Sequence, residues 1–174
     1  LILPNFGGVT VLVTVISGVL ALPAAMFLFP GQSVLFRVLL IACFVVLSNI
    51  WIATVFLSGM KRYKAILLLY ALGYTITVLG ALMLRFLDLD GLLLGFLLGQ
   101  VTLLAGMLVL IVRGYPAESI VSFDMFGKKY LYPSLMLVGF FYNAGVWADK
   151  AMFWFYDGTG SDVIGPLRAS LIYD

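Results

Sequence analysis

Four stretches of this chain, Val9 to Phe29, Val34 to Ser58, Ala65 to Leu84 and Gly91 to Val112, each run for at least twenty residues, with Arg37 as the one charge inside them. Twenty residues at ~1.5 Å rise cover the ~30 Å hydrocarbon core of a bilayer. Only a helix satisfies its own backbone groups along that path in lipid. Arg37 stands near enough to the start of its run to snorkel toward the interface. Each central Leu, Ile, Val or Phe contributes about −0.3 to −0.6 kcal/mol to insertion, so the ten or so in Ala65 to Leu84 give roughly −3 to −6 kcal/mol. One charge at mid-depth would erase most of that margin.

Composition closes off the alternatives. Of 174 residues, 64% are hydrophobic and 10% charged, whereas a soluble domain carries roughly 25% charged residues to wet its surface. The chain has no histidine and a single cysteine, Cys43, set in an apolar run. No disulfide, zinc site, metal centre or cofactor is expected, and the usual general base is missing, which argues against an enzyme. The net charge is +2, with no basic run longer than two residues. Nucleic acid is therefore not an expected partner.

A fifth apolar run, Leu131 to Ala148, is followed by Asp149 and Lys150. Each would cost about +2.5 to +3.5 kcal/mol at the bilayer centre. Their place is the membrane edge or a wet cavity, with Phe153, Trp154, Phe155 and Tyr156 at headgroup depth. The sequence thus predicts an all-α polytopic membrane bundle of about five transmembrane helices. Spans 9–29, 34–58, 65–84 and 91–112 form a first bundle within residues 1–112. Residues 113–130 form a cytoplasmic link between bundles. Residues 131–174 hold the first helix of a second bundle, 131–156, and an extracytoplasmic segment.

Short connections make successive helices antiparallel neighbours, so the loops alternate between two sides. Loops 59–64 and 113–130 share one side and carry Lys61, Arg62, Lys64, Arg113, Lys128 and Lys129; the other side has Arg37, Arg85, Lys150 and Arg168. The positive-inside bias then puts residues 1–8 in the cytoplasm. The start lacks Met and a basic leader, and the end reads as mid-segment, so the chain reads as an internal piece of a longer one.

Gly91, Gly95 and Gly99 recur every four residues, with Gly106 further along nearly the same face. That spacing lets helix backbones approach closely in lipid, and helix packing is the expected role. Ser17, Ala21 and Ala25 form a second small-residue face beside Pro23, a candidate kink. Asn49 and Gln100, deep in apolar spans, are expected to hydrogen-bond between helices. Thr54, Thr75, Thr77 and Thr102 can return their hydroxyls to the preceding turn. The loop 157–162 reads as an exposed turn.

The sharpest constellation is Asn143, Trp147, Lys150 and Trp154, which share one helical face at i, i+4, i+7 and i+11. Two indoles beside an amide and a cation suit a sugar, whose apolar ring face stacks on aromatics while its hydroxyls take hydrogen bonds. The alternative is an interfacial anchor marking headgroup depth. Asp149 points about 100° away from Lys150 and needs its own partner or water. The first four spans hold no carboxylate, so a conventional ion-coupling site is not expected there.

The segments YLYPSLMLVGFFYNAGVWADKAMFWF (Tyr130–Phe155), VIGPLRASLIYD (Val163–Asp174) and ILPN (Ile2–Asn5) resemble the PelG-like inner-membrane export subunit of the bacterial Pel exopolysaccharide system. The resemblance covers essentially the whole chain, with its distinctive part in residues 130–174. It implies a transporter of the multidrug, oligosaccharidyl-lipid and polysaccharide exporter superfamily, a two-bundle fold of about a dozen helices. It also implies a polysaccharide substrate and partners beyond membrane lipid. These are a cytosolic glycosyltransferase and other membrane subunits of a Pel assembly, one of which senses cyclic di-GMP. A non-transporting membrane scaffold that docks cytosolic enzymes through loops 59–64 and 113–130 is the competing expectation.

Overall fold

The computed structural model describes residues 2–124, 127, 132–156 and 158–170. It resolves into two units, residues 1–125 and 126–174. The first contains α1 (Ile2–Leu28), α2 (Val34–Gly59), α3 (Tyr63–Met83) and α4 (Asp88–Gly114), with a 3-10 turn at Arg85–Leu87 before α4. Among the described residues, these are the four helices long and apolar enough to cross a membrane. Much of their surface is apolar and outward-facing: Val19 is 66% exposed and Met83 77%. Water would penalise such a surface, whereas lipid tails would not.

α1 begins seven residues ahead of the expected 9–29 span. Pro4 falls in its first turn, where a backbone N–H has no helical acceptor anyway. Leu3 and Phe6 are buried in a core with Ile50, Ala53 and Leu57 of α2 and Leu103, Met107 and Ile111 of α4. Phe6 meets Phe56 with ring centroids 4.7 Å apart, and Phe56 meets Tyr115 edge-on at 6.2 Å. That burial holds the helix through Gly7 and Gly8, which are poor helix formers. The segment after α4 returns to the same place: Ser122 N–H donates to the Pro4 carbonyl at 2.7 Å. A Cβ on Gly7 would run into the Ile120 carbonyl. Further along α1, Ser17, Ala21 and Ala25 are buried, and the helix runs unbroken through Pro23.

Helix order departs from the chain-neighbour expectation. α4, rather than α3, lies along α2, giving the sequence α1, α2, α4, α3 across the unit, while α2 and α3 touch sparingly, as at Thr54 and Tyr70. α2 and α4 run parallel: Ser33 at the start of α2 reaches Asp90 at the start of α4, and Thr54 lies against Met107 further along both. Ser33 is used twice. Its Oγ accepts the Phe36 N–H at 2.9 Å as an N-cap and donates to the Asp90 carboxylate at 3.0 Å.

The α3–α4 seam is the tightest contact. Gly91, Gly95 and Gly99 are buried. A Cβ on Gly95 would strike the Ala81 backbone and lie 2.5 Å from the Gly80 carbonyl carbon. One on Gly99 would strike the Thr77 hydroxyl and sit 2.5 Å from the Gly73 oxygen. Gly73, Thr77 and Gly80 of α3 are therefore the other half of a small-residue interface. Gly91 instead abuts the Leu84 carbonyl of the connecting turn, and Gly106 faces the tip of Leu69.

Asn49 Nδ2 donates to Thr14 Oγ1 at 3.0 Å, joining α2 to α1, and Gln100 Nε2 lies 3.5 Å from Thr77 Oγ1 across the seam. Thr75 and Thr102 bond back to Ala71 and Leu98. Thr54 and Thr77 do not: each faces a neighbouring helix.

The second unit contains α5 (Pro133–Phe155) and a hairpin of β1 (Gly160–Ile164) and β2 (Leu167–Ser170). α5 is not among the helices apolar enough to span, which reduces the expected five to four. Any eighteen consecutive residues of α5 include Asn143, Asp149 and Lys150, and its tyrosine, tryptophans and glycines are weakly hydropathic. Of the exposed turn expected at 157–162, residues 158 and 159 form a turn, Gly160 to Asp162 instead open the hairpin's first strand, and Asp157 lies outside the described residues. Thr159 Oγ1 donates to the Phe153 carbonyl at 2.7 Å, tying the chain to the end of α5. Gly165, at φ 57°, takes the first central position of the turn before Pro166. Arg168 pairs with Asp162 across the strands at 3.1 Å.

Candidate functional site

α5 starts at Pro133, where the ring's fixed φ suits the first turn. It then presents the residues singled out from the sequence. The rings of Trp147 and Trp154 lie 6.2 Å apart at 60°, and Lys150 Nζ sits 5.5 Å from the Trp147 ring centroid. Two turns separate the indoles, so contact requires both to lean along the helix, and the lysine between them in sequence lies over the Trp147 ring. Trp147 remains 58% exposed.

Asn143 and Asp149 have surroundings of their own. Asn143 Nδ2 donates to the Gly139 carbonyl of its own helix at 2.9 Å, leaving its carbonyl oxygen as the end available to a ligand. Asp149 lines a separate shallow hollow with Met152, Phe153 and Tyr156. The expected set of five therefore divides into an aromatic–cation trio, an amide turned toward its helix, and a carboxylate on another flank. The trio offers flat, partly wetted π surface and one cation. Those groups can stack on a pyranose and donate hydrogen bonds to its hydroxyls, but they include no nucleophile or acid–base pair.

At the opposite end of the first unit from Ser33 and Asp90, Lys61, Arg62, Lys64 and Arg113 gather around the α2–α3 turn and the end of α4. Lys128 and Lys129 lie outside the described residues. Arg62 and Arg113 line one hollow together with Leu57, Ala65, Leu110, Gly114 and Tyr115. Sequence places these cations on one side of the membrane without bringing any two of them together; their convergence depends on α4 being the neighbour of α2. Arg37, at the other end, reaches back to the Gln32 carbonyl at 3.1 Å.

No curated protein and no solved structure matches the chain. A family of exporters does: the profile described as "PelG: Putative exopolysaccharide Exporter (EPS-E)" matches residues 1–174. Long apolar helices and the match across every residue lead to one conclusion: the chain belongs to the PelG exopolysaccharide-exporter family.

Proposed function

We propose that this chain is part of an inner-membrane transporter that moves a Pel-type exopolysaccharide outward, with its Lys61 end in the cytoplasm and without covalent chemistry of its own. The observation that carries the reading is the Trp147–Lys150–Trp154 cluster on α5, within a family of exopolysaccharide exporters. Stacking against indoles is tolerant of sugar identity and weak per contact, which suits a polymer that must slide rather than lodge. A cytosolic glycosyltransferase would deliver the growing chain at the basic end, and other Pel membrane subunits would complete the assembly. The division of residues 1–112, 113–130 and 131–174 into first bundle, link and second bundle belongs to the same reading.

Replacing both indoles, Trp147→Ala with Trp154→Ala, in the full protein in cells should cut secreted polymer while leaving its amount in the membrane unchanged. Undiminished secretion would return the two residues to the role of interfacial anchors.

A further inference from the structure

We infer that the hollow between the α2–α3 turn and the end of α4 is a binding site for a phosphate group, supplied by an anionic phospholipid headgroup or by a free phosphate. Arg62 and Arg113 are 51 positions apart in sequence yet line one space of about 220 Å³, well above the ~15 Å³ that a single water needs. No carboxylate lines it, and neither guanidinium forms an ion pair among the described residues. Two arginines lining one hollow without an acid present forked donors that a phosphate matches.

The backbone adds to the attraction. α3 starts at Tyr63 with Arg62 as an N-cap that makes no side-chain bond, so the amides of its first turn point unsatisfied toward the end where Ala65 lines the hollow. The turn that brings Arg62 there is built at a cost. Arg62 N–H donates to the Leu57 carbonyl at 3.1 Å and Lys61 N–H to Ser58 at 2.9 Å, the paired bonds of a Schellman cap. Its left-handed position, at φ 58°, is held by Lys61 rather than glycine. A cation thus stands where glycine would be easier, next to Arg62 in the chain. Leu57 and Tyr115 supply an apolar floor for the first carbons of a lipid.

The test uses the full-length protein in neutral detergent, with native mass spectrometry reading retained phosphatidylglycerol against phosphatidylcholine, and inorganic phosphate as the competing probe. Wild type should retain phosphatidylglycerol selectively. Arg62→Gln with Arg113→Gln should lower that retention roughly tenfold, since charge-assisted hydrogen bonds are the strong ones. Lys64→Gln, whose side chain does not line the hollow, should change it less than about twofold. Displacement of the lipid by inorganic phosphate, or phosphate binding without lipid, supports the site with free phosphate as a ligand; retention that phosphate does not displace supports it with the lipid. Wild-type binding of both probes by the double variant, with an unchanged unfolding midpoint, would overturn the proposal. So would an equal loss from Lys64→Gln, which would mean diffuse surface charge.

Discussion

The α3–α4 seam and the exposed face of α5 are both helix surfaces in an apolar chain, yet they are built from opposite materials. The seam uses side chains that are nearly absent, Gly73, Gly80, Gly95 and Gly99, and brings backbones into contact. The α5 face uses the largest side chains available, Trp147 and Trp154, with Lys150 over the Trp147 ring. In lipid the hydrophobic effect does not drive helices together, so association depends on close van der Waals fit. Small residues in register therefore mark a permanent contact. Bulky amphipathic residues left half-wetted mark a surface kept for something that comes and goes.

The heaviest blow to that contrast is Gly95→Val. Its branched side chain has only the Ala81 and Gly80 backbone to push against, so destabilisation should reach roughly 3 kcal/mol or more, read as a lowered unfolding midpoint in detergent. Tolerance of this variant would mean that the seam is not closed as described. Lys61→Gly should act in the other direction, raising stability by about 1 kcal/mol through relief of the left-handed backbone. Thr14→Val removes the acceptor of the Asn49 amide and should cost roughly 0.6 kcal/mol, the average for such bonds between membrane helices. Trp147→Ala should shift the same midpoint by less than about 0.5 kcal/mol, because the indole is largely exposed. A loss several times larger would make the α5 face structural and erase the distinction.

Hydropathy made the first four helices legible, since no other element can carry an uncharged run of twenty apolar residues. The glycine stripe of α4 and the Ser17–Ala21–Ala25 face were legible for the same reason, as helical periodicity reports which face is small. The partner of a stripe was not. Gly73 and Gly80 are seven apart on α3 and stand out only once α4 is laid against them. Likewise, nothing local says that α4 follows α2, because that order is decided by which faces fit. The early start of α1 was hidden by Pro4, Gly7 and Gly8, whose propensities argue for a loop until the burial of Leu3 and Phe6 outweighs them. At the other end, the Gly165-Pro166 pair flanked by Val163-Ile164 and Leu167 was the available signal for the hairpin.

Of the candidate site, the shared face of Trp147, Lys150 and Trp154 followed from spacing alone. The separation of Asn143 did not, because a side-chain amide near mid-helix can turn back to its own backbone as readily as outward. The meeting of Arg62 and Arg113 was equally invisible, since it is a consequence of helix order.

Export itself is tested most directly by reconstituting the full-length protein, with and without the Pel membrane subunits proposed as its partners, into sealed vesicles and supplying labelled glycan on one side. The account predicts that label accumulates in the lumen and that Trp147→Ala with Trp154→Ala sharply lowers the rate. Vesicles that stay empty although the protein is folded and inserted would contradict it, leaving a membrane scaffold in place of a transporter.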